Sequence, residues 1–356
     1  MVSAPLDLTL IDRVKAGEMP QHDLLGLASA LNAEVIAPVR PFKKKERKLL
    51  LPLKFLSVAW AGFRRRQEYD VILTDLEHTG LALALLFKLT RVRKRHVMIC
   101  HGKVIKRKVV ALIKVLGLAE YVDRFICYGP NVADKLRLAL DLPPERVATV
   151  RHAADHQFWH PLPVPAERLV VSAGMLKRDY PTLVDAMRDL DVAAEIAAFS
   201  PWVLGEGPGG KDLPPNVRFT RLPPAGLRAL YARARLIAIP LEASNAQSGS
   251  LVIYESMAMG KPVVVTRTAG QDALEIVKDG ETGFYVEPGD VARWREVIQY
   301  LCGNPEEAER MGRAARAAVE NGMNMDTYIR DVAAIVWDAA LVDAPAARPL
   351  AETRIN

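Results

Sequence analysis

The sequence predicts an α/β protein built from two doubly wound parallel-sheet domains, and three observations carry that expectation. β-branched runs such as Val263-Val264-Val265-Thr266, which suit a parallel strand buried on both faces, alternate with apolar helical segments along the chain. At 356 residues, half of them apolar, the chain is long enough for two cores of ordinary size. Charge is also divided: residues 1–160 hold 27 Lys/Arg against 16 Asp/Glu, a net of +11, and the remainder holds 21 against 26, a net of −5. The expected boundaries are 1–160 and 161–324 for the domains, 325–343 for a terminal helix and 344–356 for a frayed tail rich in Ala and Pro.

In the first domain residues 6–10 read as a short strand with no glycine-rich loop after it, and a helix starts near Asp23-Leu24-Leu25. A strand is expected at 70–74, then a turn at Glu77-His78-Thr79-Gly80 and an apolar helix at 81–89. Residues 95–100 form the next strand, with His101-Gly102 at its carboxyl end, where open parallel sheets bind ligands. A strand within 121–129 and a helix at 131–140 complete the domain.

The second domain opens with a strand at 169–173 ending in Gly174, followed by Pro181 at a helix start. Strands are expected at 194–199, 217–220, 236–240, 263–266 and 284–286, and helices at 225–233, 251–259, 291–302 and 305–319. Gly260-Lys261-Pro262 ends the helix at 251–259, and an amphipathic segment at 325–341 closes the ordered chain. Gly205-Glu206-Gly207-Pro208-Gly209-Gly210-Lys211 has P-loop spacing, but Asp212 replaces the hydroxyl residue and Pro214-Pro215 blocks the following helix, so it reads as a loop.

The segment from Gln247 to Asp290 carries the clearest chemistry. Ser248, Gly249 and Ser250 precede the helix at 251–259, so backbone N–H groups at the positive end of its dipole face a potential anion, and Glu255 lies inside the helix. Upstream, Lys177 and Arg178 follow the strand ending in Gly174; an arginine fork there is suited to bidentate contact with phosphate oxygens.

These motifs resemble the retaining GT-B glycosyltransferases of the group with a glutamate–seven residues–glutamate signature (glycosyl transferases group 1, family 4-like). Glu255 and Met257-Ala258-Met259-Gly260-Lys261-Pro262-Val263-Val264 match the family's helix-turn-strand, and Glu275-Ile276-Val277, Asp279-Gly280-Glu281-Thr282-Gly283 and Pro288-Gly289-Asp290 fit the rest. The resemblance implies two Rossmann-like domains facing across a cleft, with a C-terminal helix crossing back to the first. It assigns Glu255 to the ribose hydroxyls, Arg178 with Lys177 to the donor diphosphate, Ser248, Gly249 and Ser250 to the same phosphates, and His101 to the transferred sugar, and it makes residues 150–161 the linker, where Asp155 and Phe158 match. His78 holds a similar strand-end position and ranks second, as an acceptor-side group beside Glu77. Two positions depart from the pattern. Gln247 stands where the first glutamate is usual, and Met175 where an arginine often follows the glycine. An amide still donates and accepts hydrogen bonds to sugar hydroxyls.

Other classes are disfavoured. Cys100, Cys127 and Cys302 lack disulfide or metal spacing, which favours a reducing cytoplasm, and neither a signal peptide nor a run long enough to span a bilayer is expected. His152, His156 and His160 lack the acidic or cysteine partners of a metal set, so no metal and no cofactor beyond the donor substrate is expected. Basic residues adjoin apolar ones at 43–66 and again at Lys103, Lys106, Arg107, Lys108 and Lys114, which predicts either peripheral association with the inner face of the cell membrane or an anionic, lipid-linked acceptor. Nucleic acid is excluded because neither region pairs charge with stacking aromatics. The expected activity is transfer of a hexosyl group from a UDP- or GDP-sugar to an acceptor hydroxyl with retention. A sugar-nucleotide epimerase and a non-catalytic sugar-nucleotide or membrane-binding module are the alternatives.

Overall fold

The structure is a computed structural model that describes residues 2–3, 10–36, 47–198, 213–244, 247–272 and 274–341. It divides into two compact units, one of Met1–Asp12, Gln21–Arg151 and Asp326–Asn356, the other of Arg13–Pro20 and His152–Met325.

In the first unit the described residues form a six-stranded parallel sheet: β1 (Val2–Ser3), β2 (Val35–Ile36), β3 (Val71–Asp75), β4 (Arg95–Cys100), β5 (Arg124–Tyr128) and β6 (Val147–Val150), in the order β2-β1-β3-β4-β5-β6. Helix α1 (Leu10–Lys15) is divided between the units after Asp12, and the helices α2 (Asp23–Ala30), α3 (Arg47–Arg64), α4 (Glu77–Thr90), α5 (Arg107–Val115) and α6 (Pro130–Leu140) connect these strands in sequence. A two-residue strand lies at 2–3; of the strand expected at 6–10 only Leu10 is described, where it opens α1, and residues 6–9 lie outside the described residues. Glu77-His78-Thr79-Gly80 is not a turn but the first turn of α4, because Leu76, at φ 100° and ψ 134°, absorbs the whole reversal from strand to helix. Strand β6 is an addition to the expected set, and its half-exposed residues explain its weak signal.

In the second unit the parallel sheet holds β7 (Leu169–Ala173), β8 (Ala193–Ala197), β9 (Val217–Phe219), β10 (Leu236–Ile239), β11 (Val263–Thr266) and β12 (Gly283–Val286), in the order β12-β11-β10-β7-β8-β9. Its helices are α7 (Tyr180–Met187), α8 (Pro224–Arg233), α9 (Ser250–Ala258), α10 (Ala269–Asp272), α11 (Val291–Gly303) and α12 (Pro305–Glu320). Asp179 caps α7 by accepting from the Thr182 N–H at 3.3 Å, and Asp290 caps α11 by accepting from Arg293 N–H at 2.9 Å. The period-2 pattern of strands divides the core cleanly. Val171, Ile237, Ile239, Val263 and Val265 pack into one apolar cluster, and Val170, Leu236, Ala238 and Val264 into another. Both faces of the sheet are therefore covered, as β-branched strands without polar alternation require. The glycine-rich loop at 205–211 lies outside the described residues.

Helix α13 (Met325–Leu341) returns to the first unit, where the Tyr328 and Tyr128 hydroxyls pair at 2.8 Å and Arg124 Nη2 reaches Asp338 Oδ2 at 3.0 Å. The tail at 344–356 and the lysines at 43–45 lie outside the described residues.

Candidate active site

Numbered from β7, the second sheet runs 3-2-1-4-5-6, so strand order reverses between β7 and β10. Ligands of open parallel sheets bind beyond the carboxyl ends of the strands at such a reversal. The two segments that leave these strands are stitched together. Arg178 and Leu241 form an antiparallel bridge, Asp179 N–H donates to Pro240 O at 3.1 Å, and Glu242 N–H donates to Lys177 O at 3.1 Å. Leu241 N–H also donates to the buried Thr266 Oγ1 at 2.8 Å, which ties the loop after β10 to β11.

Arg178 lies in the middle of this junction. Its Nε donates to Ala173 O at 3.0 Å and its Nη1 to Leu176 O at 2.9 Å, so the guanidinium folds back over the end of β7. Two glycines make room for it. A Cβ on Gly174 (φ +89°) would lie 2.7 Å from Arg178 Nη2, and one on Gly249 (φ +86°) would lie 3.5 Å from Arg178 Nη1. Gly249 is the N-cap of α9, so the guanidinium sits beside the amino end of the helix that carries Glu255. The sequence-predicted Arg178, Gly249 and Glu255 are thus brought together. Ser250 Oγ donates to Gln247 O at 3.1 Å, and the buried Gln271 amide donates to the Ser248 carbonyl, which fixes the turn before α9.

The charge balance of this site favours an anion. Burial drives the Glu255 carboxyl up to about 8, although the Arg178 guanidinium and the Tyr231 hydroxyl both favour its ionised form. At neutral pH Glu255 is then largely protonated and able both to donate and to accept, which suits a vicinal diol. Arg178 has its own pKa lowered by burial, with the Tyr180, Tyr231 and Glu255 groups acting in the opposite direction; a guanidinium stays charged regardless. Its positive charge and the unsatisfied N–H groups of the first turn of α9 are left without a full counter-charge.

The other predicted residues fall around this centre. Gln247 presents a buried Nε2 with no hydrogen-bond partner among the described residues. Lys177 is exposed, and its Nζ pairs with Glu242 Oε2 at 3.0 Å. Lys261 of the Gly-Lys-Pro turn takes a structural part instead: its Nζ donates to Ala232 O at 2.7 Å near the end of α8, and burial lowers its pKa to about 8. Tyr180, whose hydroxyl donates to Gly174 O, and Tyr231, Thr266 and Gln271 were not legible in the sequence, because each reaches the site through tertiary packing.

In the first unit His101 follows β4 at the carboxyl edge of the sheet, and its Nε2 lies 2.5 Å from Asp75 Oδ1 at the end of β3. Its ring stands edge-on to Tyr128 with centroids 5.1 Å apart. Glu77, buried in the first turn of α4, accepts from Lys103 N–H at 2.8 Å and Val104 N–H at 3.3 Å. His78 is exposed against Phe55, and burial with the Lys103 charge lowers its pKa. Helix α5 buries Ile113 and leaves Leu112 and Val115 exposed beside Arg107, Lys108 and Lys114.

In the linker Asp155 Oδ1 accepts from Gln157 and Phe158 N–H at 3.0 and 3.2 Å, and His160 Nδ1 lies 3.0 Å from Pro161 O. Among the described residues no three His, Cys, Asp or Glu side chains are grouped so as to hold a metal ion, and no helix is long and apolar enough to cross a membrane.

Residues 15–158 match the family described as Glycosyltransferase Family 4, and residues 167–304 match Glycosyl transferases group 1. D-inositol 3-phosphate glycosyltransferase from Corynebacterium efficiens is 38% identical over 102 residues, 29% of this chain and 22% of that protein. The protein of the same name from Mycobacterium tuberculosis is 27% identical over 242 residues, 58% of this chain and 48% of that one. The chain thus spans less than half the length of these relatives. Sucrose-phosphate synthase from Thermosynechococcus elongatus superposes with a TM-score of 0.67 at 18% identity, over 86% of this chain and 82% of that one. Anabaena HepE in complex with UDP and glucose gives 0.65 at 18% identity, over 89% and 95%. A glycosyltransferase from Rickettsia africae gives 0.67 at 14%, over 96% and 98%. At these identities the solved structures establish the fold alone, a GT-B architecture of two Rossmann-like domains, and along it a match to the Glycosyltransferase Family 4 model is followed by a match to Glycosyl transferases group 1.

Proposed function

We propose that this chain is a glycosyltransferase that moves a hexosyl group from a nucleoside diphosphate sugar to an acceptor hydroxyl with retention of configuration. The observation that carries the reading is the Arg178 guanidinium beside Gly249 at the amino end of α9. A diphosphate leaving group gains negative charge as the glycosidic bond breaks, and a fixed cation with helix N–H groups stabilises that charge without reorganising. These groups supply the stabilisation that a divalent cation supplies in other sites, so metal-independent transfer follows. Glu255 holds the ribose diol, and Gln247 offers its Nε2, which has no partner among the described residues, to a hydroxyl of the transferred sugar. His101 is assigned to the same sugar by the family resemblance, and Lys177 to added positive potential at the diphosphate. The UDP and UDP-glucose named in the HepE structures support a UDP-sugar as donor.

The first unit is assigned to the acceptor. Its α5 surface, with Leu112 and Val115 exposed beside Arg107, Lys108 and Lys114, supports peripheral contact with an anionic lipid surface and hence a lipid-linked acceptor.

The test is UDP release from UDP-glucose with a membrane extract as acceptor source. Arg178→Ala is expected to lower turnover roughly a hundredfold or more, the scale of losing one charge-stabilising donor. Unchanged turnover in the variant would remove the proposed role. Conversion of the donor without any acceptor would favour an epimerase.

A further inference from the structure

A second group of titratable side chains lies at the carboxyl edge of the first sheet. Asp75 closes β3 and is buried, whereas the His101 side chain, 2.5 Å away through Nε2, is 32% exposed. The carboxylate is therefore inside and the imidazole outside. Whatever binds at this edge meets the ring first, and Asp75 acts on it through the ring.

The chain tolerates strain to keep this order. Leu76, directly after Asp75, has φ 100°, a conformation that costs a branched residue about 1–3 kcal/mol and persists where the surroundings enforce it. Because this one residue turns the chain, α4 starts at once, and Glu77 reaches the backbone of the loop that carries His101, accepting from Lys103 and Val104 N–H. One carboxylate holds the ring and the other holds the loop. The ring is also braced by Tyr128, whose hydroxyl pairs with that of Tyr328 on α13. Nδ1 of His101 has no hydrogen-bond partner among the described residues.

We propose that Asp75 is a positioning residue that accepts from His101 Nε2–H and fixes the orientation and charge of the ring, so that the Nδ1–H of the imidazolium is presented as a cationic donor to an oxygen of the bound substrate. The proposal rests on the transferase reading for the identity of that substrate, but the pairing itself does not. Electrostatics at this edge agree. Burial alone disfavours the imidazolium, yet the Asp75 hydrogen bond and charge, with Glu77 from α4 and Asp23 from α2, outweigh it and raise the His101 pKa. The other titratable groups at this edge are Tyr128 on β5 and Tyr328 on α13, both held neutral by burial, and His22, which pairs with Asp23 at 2.8 Å.

Protonated His101 is the competent form, so kcat/KM falls as pH rises through its titration, and loss of the Asp75 charge moves that limb to lower pH. Asp75→Asn, close to isosteric, and His101→Gln are the variants. The His101 C2–H resonance, identified by its absence in His101→Gln, is followed against pH by NMR, and UDP release from UDP-glucose gives the pH profile. In Asp75→Asn the resonance is expected to titrate at lower pH than in wild type, the alkaline limb to shift with it, and kcat/KM near neutral pH to drop on the order of tenfold, the scale of one charge-assisted hydrogen bond. In the His101→Gln background, Asp75→Asn is expected to add nothing. An unmoved resonance, an unmoved limb or an undiminished effect in that background overturns the proposal. If wild type releases no UDP under any condition the transferase reading fails, and the NMR titration alone then decides the pairing.

Discussion

Replacement of Glu255 by Gln should make the protein more stable at alkaline pH while leaving its acid stability unchanged. In the folded state burial lifts this carboxyl to about 8, against 4.5 for an ordinary glutamate. Between those two values the folded chain retains a proton that the unfolded chain has released, so stability falls as pH rises across the window. A tenfold difference in proton affinity between the folded and unfolded chains corresponds to about 1.4 kcal/mol, which places the accumulated loss at pH 8 on the order of 3–5 kcal/mol. Gln cannot ionise and is nearly the same size, so it removes the slope without opening a cavity. For a domain of this size, that difference corresponds to roughly 10 °C in melting temperature. Thermal unfolding of both proteins at pH 4.5, 6, 7 and 8.5 supplies the measurement. The curves are expected to coincide at pH 4.5 and to diverge steadily above it, with Gln the more stable. Parallel curves across the window would show that Glu255 is not held protonated, and an uncompensated cation at Arg178 would lose its support.

Two further substitutions separate the groups of this site. Gly174→Ala places a Cβ 2.7 Å from Arg178 Nη2, so the guanidinium must move; UDP release is expected to fall nearly as far as in Arg178→Ala while circular dichroism stays native. Retention of full turnover would mean that the position of Arg178 over β7 is unimportant. Lys261→Met keeps the aliphatic stem but deletes the bond to Ala232 O, and is expected to cost about 1 kcal/mol in urea unfolding with kcat unchanged. A kcat effect without a stability effect would place Lys261 in the chemistry instead.

Much of this arrangement could be read along the chain because its signals are local. The strands at 95–100 and 263–266 have the bounds expected from β-branched and apolar runs, and Pro181 marks the start of α7 as its fixed φ demands. The proximity of Arg178 to Gly249 was implied by the family resemblance rather than by any local pattern, and the reversal of strand order between β7 and β10 accounts for it. The misses are tertiary. Thr79-Gly80 reads as a turn, yet Gly80 is in a helix because a Cβ there would lie 2.2 Å from Met98 Sδ; the glycine allows α4 to lie close on β4. Asp75 carried no motif, because nothing in the spacing of Asp75 and His101 reveals that two parallel strands end side by side.

The matched glycine-lysine-proline turn shows why a motif and a role are different things. Its one charged residue, the lysine, closes a neighbouring helix, and the groups able to meet a diphosphate come from two other places, the tip of β7 and the cap of α9. What joins these places is backbone: Ala173 O and Leu176 O hold the guanidinium, and the Leu241 bridge holds the loop that leads to Gly249. An arginine anchored to main-chain carbonyls loses little conformational entropy when an anion arrives, so more of its electrostatic attraction remains for the charge that develops on the leaving group. Weakening the anchor and removing the cation should therefore affect the same kinetic constant, which is why the Gly174 and Arg178 variants are expected to converge in kcat, although only one of them loses charge.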